Sequence, residues 1–170
     1  MMRRLIRYLL AGSRLGGNGF FPIPAWVRVI LKRYSPSKQR LFYARLMDGV
    51  DLSYIVSNDV GCQESVSRID HELFGDDIIT GTWTGLQHYI TSPKWREADT
   101  PQDGCTVIAA TGTGNGTIEN GHVGIYDNKR VWSNSSIPGA WGNKFSLLAF
   151  LDYYQRRGGM KVRYFIRVIQ

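Results

Sequence analysis

The sequence is poor in residues that could cross-link the fold covalently or through a metal. Its 170 residues include two cysteines, Cys62 and Cys105, and three histidines. Two cysteines cannot form a multi-bridge disulfide framework, and they lack the paired C-x-x-C spacing of a zinc site. We therefore expect one domain held by a hydrophobic core, with at least one free thiol.

A long apolar run is also missing. The most apolar stretch near the start, residues 5–11, contains Arg7, and it is shorter than the roughly 20 residues that a membrane span needs. Arg7 also lies where a secretory signal would have its apolar region. We predict neither a membrane span nor a cleaved leader, so that export, if it happens, would use another route such as cell lysis or injection.

Acidic residues are absent from the first 47 positions, which contain ten Lys and Arg. Residues 48–170 hold the other eleven basic residues and all fourteen acidic ones. So uneven a distribution predicts two regions with different partners. We predict a basic helical N-terminal segment, residues 1–47, that docks on an anionic surface (membrane, teichoic acid or nucleic acid) or on a virion protein. The alternative is a solvated face or arm.

Apolar periodicity predicts four helices in the first hundred residues. Two cover residues 25–34 and about 37–47. A third begins at Cys62 and ends at Gly75, because its apolar residues form one stripe: Cys62, Val66, Ile69 and Leu73. A fourth follows Thr82 and is closed by Pro93, with three residues predicted to be buried: Leu86, Tyr89 and Ile90.

After Gly104 the pattern changes to strands. Runs at 105–110, 122–126 and 130–133 predict strands, the last two joined by a tight turn at 127–128. A helix near 147–154 and a final strand over 161–169 follow. Helices first and an antiparallel sheet afterwards predict an α+β domain.

Cys62 opens its helix, where backbone N–H groups and the helix dipole lower the pKa of a thiol. A thiol nucleophile needs a base from elsewhere in the chain. His71 lies nine residues further along the same helix and faces the opposite side, and His88 on the next helix is explained by packing or solvation. His122, which opens a strand after a glycine, is therefore the predicted base.

A third group must hold the imidazole of His122 in its working tautomer. A hairpin turning at 127–128 places His122 opposite Ser133 or Asn134. We predict Asn134 as the orienting residue, with Ser133 and Asn143 as fallbacks. Cys105 lies in an apolar strand and is predicted to be a core residue.

These motifs together resemble the CHAP and NlpC/P60 superfamily of papain-like cysteine peptidases and amidases, over about residues 55–169. The resemblance is carried by a helix-opening cysteine, a later His strand, a polar residue on the next strand and the loop that precedes them: Asp59-Val60-Gly61-Cys62-Gln63-Glu64-Ser65-Val66, Gly121-His122-Val123-Gly124-Ile125-Tyr126, and Pro101-Gln102-Asp103-Gly104-Cys105-Thr106-Val107-Ile108. Gly61 departs from the Asp or aromatic-polar pair usual before the nucleophile. Cys105, next to Gly104 at the entry of the following strand, stands where the family commonly has an Asp.

The resemblance implies a papain-like fold, with N-terminal helices packed on a small antiparallel sheet, and a cysteine hydrolase domain over residues 48–170. It implies a peptidoglycan hydrolase, an endopeptidase or N-acetylmuramoyl-L-alanine amidase, of the phage lysin or virion-associated lysin kind. Such a protein would act at the bacterial cell wall after lysis-type release or as part of a virion. Cys62, His122 and Asn134 would cleave an amide bond with no metal or organic cofactor.

Further residues are candidates for binding. The Cys62 backbone N–H would be one oxyanion donor, with Ser57 or Asn58 supplying another. Aromatic faces suit sugar rings and peptides, so Trp83, Trp132 and Trp141 are candidates to line a substrate groove. Their alternative role is packing in the core.

Two other functions fit the sequence. One is a non-catalytic structural or virion protein on the same scaffold, for which Cys62 would be unreactive. The other is nucleic-acid binding through residues 1–47, which would depend steeply on salt.

Overall fold

A computed structural model describes residues 24–57, 60–110, 121–134 and 140–168. In it a six-stranded antiparallel sheet carries helices on both faces, which confirms the α+β prediction. The helices are α1 (Ala25–Leu31), α2 (Pro36–Leu46), α3 (Cys62–Phe74), α4 (Thr82–Thr91) and α5 (Leu147–Phe150), the last continued by a π-helical turn (Leu151–Arg157). The strands are β1 (Trp95–Ala98), β2 (Thr106–Ala109), β3 (His122–Asp127), β4 (Arg130–Asn134), β5 (Trp141–Ser146) and β6 (Val162–Arg167), in the spatial order β1-β6-β2-β3-β4-β5.

The helix predictions are confirmed in position, with differences at the ends. α3 ends where expected, because Gly75 takes a left-handed conformation at φ 74° that favours glycine. The expectation that Ile90 is buried is wrong: its side chain is 46% exposed, whereas Leu86 and Tyr89 are buried. Within the ranges described, no helix has the length and apolar character needed to cross a bilayer.

The sheet separates two hydrophobic cores, because successive strand residues point to opposite faces. Val123 and Ile125 of β3 pack on one face with residues of α1 to α4. Val131 of β4 packs on the other face with Phe150 of α5. A side chain at the end of β3 can therefore meet groups from both layers.

The β3–β4 hairpin turns one residue later than predicted. Asn128 and Lys129 have φ values of 43° and 68°, which is the two-residue turn that matches the twist of a hairpin. Ile125 consequently pairs with Trp132, two positions beyond the predicted register. A two-residue shift keeps each side chain on its face, so Ser133 shares the face of His122 and Asn134 lies on the other.

The described part of the basic N-terminal segment belongs to the same packing unit as the rest. Tyr43 and Ala44 of α2 are buried in the core shared with α3. The predicted boundary at residue 47 therefore does not separate residues 24–47 from the domain. Residues 1–23 lie outside the described residues, and for them a docking role stays a prediction.

A buried ion pair ties α2 to α3 and to the sheet. The Arg40 guanidinium donates to both carboxylate oxygens of Asp70, at 2.7 and 3.1 Å. It also donates to the Gly104 carbonyl at 2.7 Å and the Thr106 hydroxyl at 2.9 Å. Arg40 is fully buried and Asp70 nearly so, so each charge depends on the other for compensation.

We expect Asp70→Asn to lower the free energy of unfolding by about 3–5 kcal/mol, because it leaves the Arg40 charge buried without its counter-charge. Urea denaturation followed by circular dichroism measures this. The matched control is Arg156→Gln, which breaks the exposed Arg156–Asp152 pair and should leave the transition unchanged. A loss below about 1 kcal/mol in Asp70→Asn, the size of an ordinary substitution, would contradict this role.

Candidate active site

The thiol of Cys62 lies in the first turn of α3. Its side chain is only 6% exposed, and its sulfur is 3.8 Å from the hydroxyl of Thr82, the first residue of α4. The N–H groups of a first helical turn have no acceptor within the helix. The sulfur therefore lies near hydrogen-bond donors that favour its charged form.

His122 is the first residue of β3, so its ring lies at the end of the sheet. Gly121 precedes it at φ 66°, and a Cβ there would overlap the carbonyl oxygen of Ala109. Only glycine permits this close approach of β3 to the end of β2. The glycine in the Gly-His motif therefore positions the strand that carries the imidazole.

Ser133 binds the imidazole of His122. The Ser133 hydroxyl donates to the Val123 carbonyl at 2.7 Å, so its oxygen accepts from Nε2–H of His122, also at 2.7 Å. This fixes the tautomer with the proton on Nε2, so that Nδ1 is the ring nitrogen left for the hydrogen bond between His122 and Cys62. The site is thus a Cys62–His122–Ser133 arrangement.

The prediction of Asn134 as the orienting residue is therefore corrected to Ser133, its fallback. Asn134 leaves β4 on the opposite face, and its Nδ2 lies 3.1 Å from the position that a Gly61 Cβ would take. Asn143, the second fallback, accepts instead from Arg130 at 2.5 Å on an exposed part of the sheet. The hairpin register is the physical reason why Ser133, and not Asn134, meets the imidazole.

The pKa of Cys62 is lowered even though the thiol is buried. Burial alone raises the pKa of a thiol, and it is the largest influence here. The charge and hydrogen bond of His122 oppose it, together with hydrogen bonds from Thr82 and the Val123 backbone. The combined result is a pKa below the usual value for a thiol, as a cysteine nucleophile requires.

Aromatic rings from two elements contact the imidazole of His122. Tyr154 of the π-helical turn lies parallel to it, with centroids 5.4 Å apart and planes 2° apart. Phe145 of β5 meets it edge-on at 5.3 Å. The imidazole therefore contacts rings from both the sheet and the last helical segment.

Glu64 anchors the chain that leads to Cys62. Its buried carboxylate accepts from the backbone N–H groups of Tyr54, Ile55 and Val56 at 2.8 to 3.0 Å, and from Arg68 at 2.8 Å. Burial raises the pKa of Glu64, but these hydrogen bonds bring it below its usual value. The carboxylate therefore fixes the loop through residues 54–56 to the first turn of α3, which carries Cys62.

Of the two predicted oxyanion side chains, Ser57 follows this loop and Asn58 lies outside the described residues. Ser57 uses its carbonyl to accept from Val60 N–H at 3.0 Å. The backbone N–H of Cys62 lies at the start of α3, where it has no acceptor within the helix, as expected of an oxyanion donor.

Of the three tryptophans predicted to line a substrate groove, two are buried and one is exposed. Trp141 is 1% exposed and donates to the Ala44 carbonyl, and Trp132 is 8% exposed and donates to Asp127. Both are core residues, so the prediction that they line a groove is wrong. Trp83 is 41% exposed and directly follows Thr82, which contacts the thiol. It therefore remains a candidate for substrate binding.

The other two histidines lie away from the thiol. His71 is exposed near the far end of α3, with Nδ1 2.6 Å from the Asp76 carbonyl. His88 packs edge-on against Tyr89 at 5.9 Å. Both positions agree with the choice of His122 as the partner of Cys62.

Thr82, Tyr154 and Glu64 are the site residues that sequence reasoning missed. Thr82 was identified only as a helix start and Tyr154 only as the end of a helix. Glu64 has one local signal in the sequence, which concerns the helix and not the site: an acidic residue in the first turn of a helix stabilises that helix. Their contacts with the site depend on tertiary packing.

Comparisons of the chain with protein-family models, with curated proteins and with solved structures found no match. We therefore argue the function from the geometry of the site and from the sequence motifs.

We expect Cys62 to react with iodoacetamide at a pH below the usual thiol pKa of about 8.5. Replacing His122 by Ala leaves burial as the main influence, so the pKa of Cys62 should rise. At a pH well below the pKa, a rise of one unit reduces the thiolate about tenfold. Alkylation rates measured from pH 5 to 10 by mass spectrometry test this.

Cys105 supplies the matched control for that experiment. Burial raises the pKa of Cys105 to about 11, so a Cys62→Ala protein should not be alkylated at pH 7. Equal alkylation profiles for the wild type and for His122→Ala would contradict the coupling of Cys62 to His122.

Replacing Ser133 by Ala should weaken the site without removing it. The change deletes one hydrogen bond to the imidazole, of the size that corresponds to roughly a 3- to 10-fold loss of thiol reactivity at pH 7. The matched variant is Asn134→Ala, which should retain near wild-type reactivity if its protein is folded. The reverse order of effects would restore Asn134 as the orienting residue.

Proposed function

We propose that the protein is a papain-like cysteine hydrolase that cleaves amide bonds in bacterial peptidoglycan. The observation that carries the proposal is the contact of a helix-opening thiol, Cys62, with an imidazole, His122, whose second nitrogen is bound by Ser133. A nucleophile, a base and an orienting group in this order are the elements of cysteine-dependent acyl transfer. A cysteine helix packed on an antiparallel sheet that carries the histidine supports the papain-like fold.

In the first half-reaction the Cys62 thiolate attacks the amide carbonyl carbon, and a C–S bond forms as the carbonyl π electrons move to oxygen. The oxyanion is stabilised by the backbone N–H of Cys62 at the start of α3. The His122 imidazolium then gives its proton to the amide nitrogen. The C–N bond breaks, an amine leaves, and a thioester to Cys62 remains.

In the second half-reaction His122, now neutral, takes a proton from water as that water attacks the thioester carbonyl. Collapse of the second oxyanion breaks the C–S bond and releases the carboxylic acid. The thiolate and the imidazolium are regenerated. Ser133 keeps the same ring nitrogen toward the thiol through both steps.

The choice of peptidoglycan is supported by the sequence motifs and by one surface feature. The motifs resemble those of amidases and endopeptidases of the cell wall. Trp83 offers an exposed aromatic face one residue from Thr82, and such faces bind sugar rings and peptide groups. We place the protein among lysins released on lysis or carried by a virion.

Cys62→Ala and His122→Ala should each abolish clearing of peptidoglycan in a zymogram, since each removes a group that forms or breaks a bond in the reaction. Circular dichroism of both variants should match the wild type. His71→Ala, which removes an exposed histidine from the same helix as Cys62, should clear the gel as the wild type does.

Wall clearing retained by folded Cys62→Ala would sink the proposal. Mass spectrometry of the soluble fragments released by the wild type identifies the bond that is cleaved. New L-alanine N-termini indicate an amidase, and other new amines indicate an endopeptidase.

A further inference from the structure

The π-helical turn Leu151–Arg157 is the least regular element among the described residues. Its end is closed by wide hydrogen bonds, from Gly158 N–H to the Tyr153 carbonyl at 3.1 Å and from Met160 N–H to the Tyr154 carbonyl at 3.0 Å. π-helical turns are rare in proteins as a whole, and those that do occur are often found at functional sites. The turn places Tyr154 on the imidazole of His122.

Three aromatic contacts hold Tyr154 and the imidazole together. The two rings are parallel within 2°, with an offset that brings their centroids to 5.4 Å, which is a favourable stacking geometry. Phe150 packs on Tyr154 at 4.7 Å. Phe145 closes the edge of the imidazole at 5.3 Å.

We propose that Tyr154 is a positioning residue, whose ring face holds the His122 imidazole toward Cys62 and stabilises the imidazolium of the thiolate–imidazolium pair. Its catalytic consequence rests on the proposed hydrolase function. Ser133 and Tyr154 then have separate tasks. Ser133 holds one ring nitrogen, and Tyr154 fixes the ring plane and favours its charge.

The electrostatic part follows from the proton that Cys62 gives to His122. Once protonated, the imidazole is a cation beside the negative face of an aromatic ring, an arrangement that is attractive within about 6 Å and more so when water is excluded. A stabilised imidazolium favours the thiolate beside it. Loss of the aromatic face should therefore move formation of the thiolate to higher pH.

Among the aromatic neighbours of the imidazole, only Tyr154 presents its ring face parallel to it. The groups that face the imidazole are Cys62 from α3, Ser133 from β4, Phe145 from β5, Phe150 from α5, whose ring is tilted by 44° at 6.1 Å, and Tyr154, with Tyr153 edge-on to Tyr154 at 4.9 Å. Burial raises the pKa of Tyr154, and the charge of Cys62 raises it further. The phenol therefore stays neutral over the working range and acts through its ring.

The test uses the full chain carrying Cys105→Ala, so that only Cys62 can react. Tyr154 is replaced by Phe, by 4-fluoro-, 3,5-difluoro- and 3,4,5-trifluorophenylalanine, and by Leu. The pH midpoint of iodoacetamide alkylation is measured for each. Fluorination weakens the negative ring face with little change in shape, which keeps the test informative if the Leu variant does not fold.

Phe should retain the wild-type midpoint, because it retains the ring face. Each added fluorine should raise the midpoint, and Leu should raise it by roughly one pH unit. Alkylation at pH 10, where the thiolate is fully formed, should be equal across the series. Tyr153→Leu is the matched control, and its midpoint should stay at the wild-type value.

Two results would overturn the inference: trifluorophenylalanine titrating like the wild type, or Phe raising the midpoint as far as trifluorophenylalanine does, which would assign the effect to the hydroxyl. If the wild type reacts at low pH and clears peptidoglycan while the series shows no trend, only the role of Tyr154 fails. If the wild type neither reacts at low pH nor clears peptidoglycan, the proposed function fails with it.

Discussion

Burial of the Cys62 sulfur is the constraint on which the site depends. A thiolate taken out of water is unfavourable unless donors and a positive charge replace the lost solvation. Here they come from Thr82, the Val123 backbone and His122, and the pKa of Cys62 is lowered. Cys105 is the contrasting case in the same chain, because burial dominates there and raises its pKa to about 11. The surroundings of each sulfur, and not burial itself, decide whether the pKa of a buried thiol in this chain is lowered or raised.

These surroundings are assembled where two layers meet at one end of the sheet. Cys62 and Thr82 come from helices on one face, and Tyr154 comes from the layer on the other. His122 can contact both because it is the first residue of its strand. The buried pair of Arg40 and Asp70 ties α2 to α3 and to the entry of β2, so the position of α3 relative to the sheet depends on it.

Local signals were enough to predict α3, its end at Gly75 and the pairing of Cys62 with His122 as a hypothesis. They were not enough for the orienting residue, because the hairpin turns at Asn128–Lys129. Lys129 adopts a φ of 68°, a conformation that side chains with a Cβ disfavour, so the sequence contains no cue for it. Trp141 was misjudged for a different reason: its burial depends on Ala44 of α2, which is distant in sequence.

The uneven charge of the chain has a structural cause in the described residues. Arg28, Arg40 and Arg45 of the basic segment pair with carboxylates of the later sequence, namely Glu72, Asp70 and Asp127. These three arginines neutralise acidic groups of the fold before any partner is considered, since a buried or half-buried carboxylate needs a counter-charge. The excess of ten cations therefore overstates the charge that residues 1–47 present to an anionic polymer. Binding to such a polymer would depend on the remaining cations, and the three paired arginines serve first to fasten the N-terminal helices to the domain.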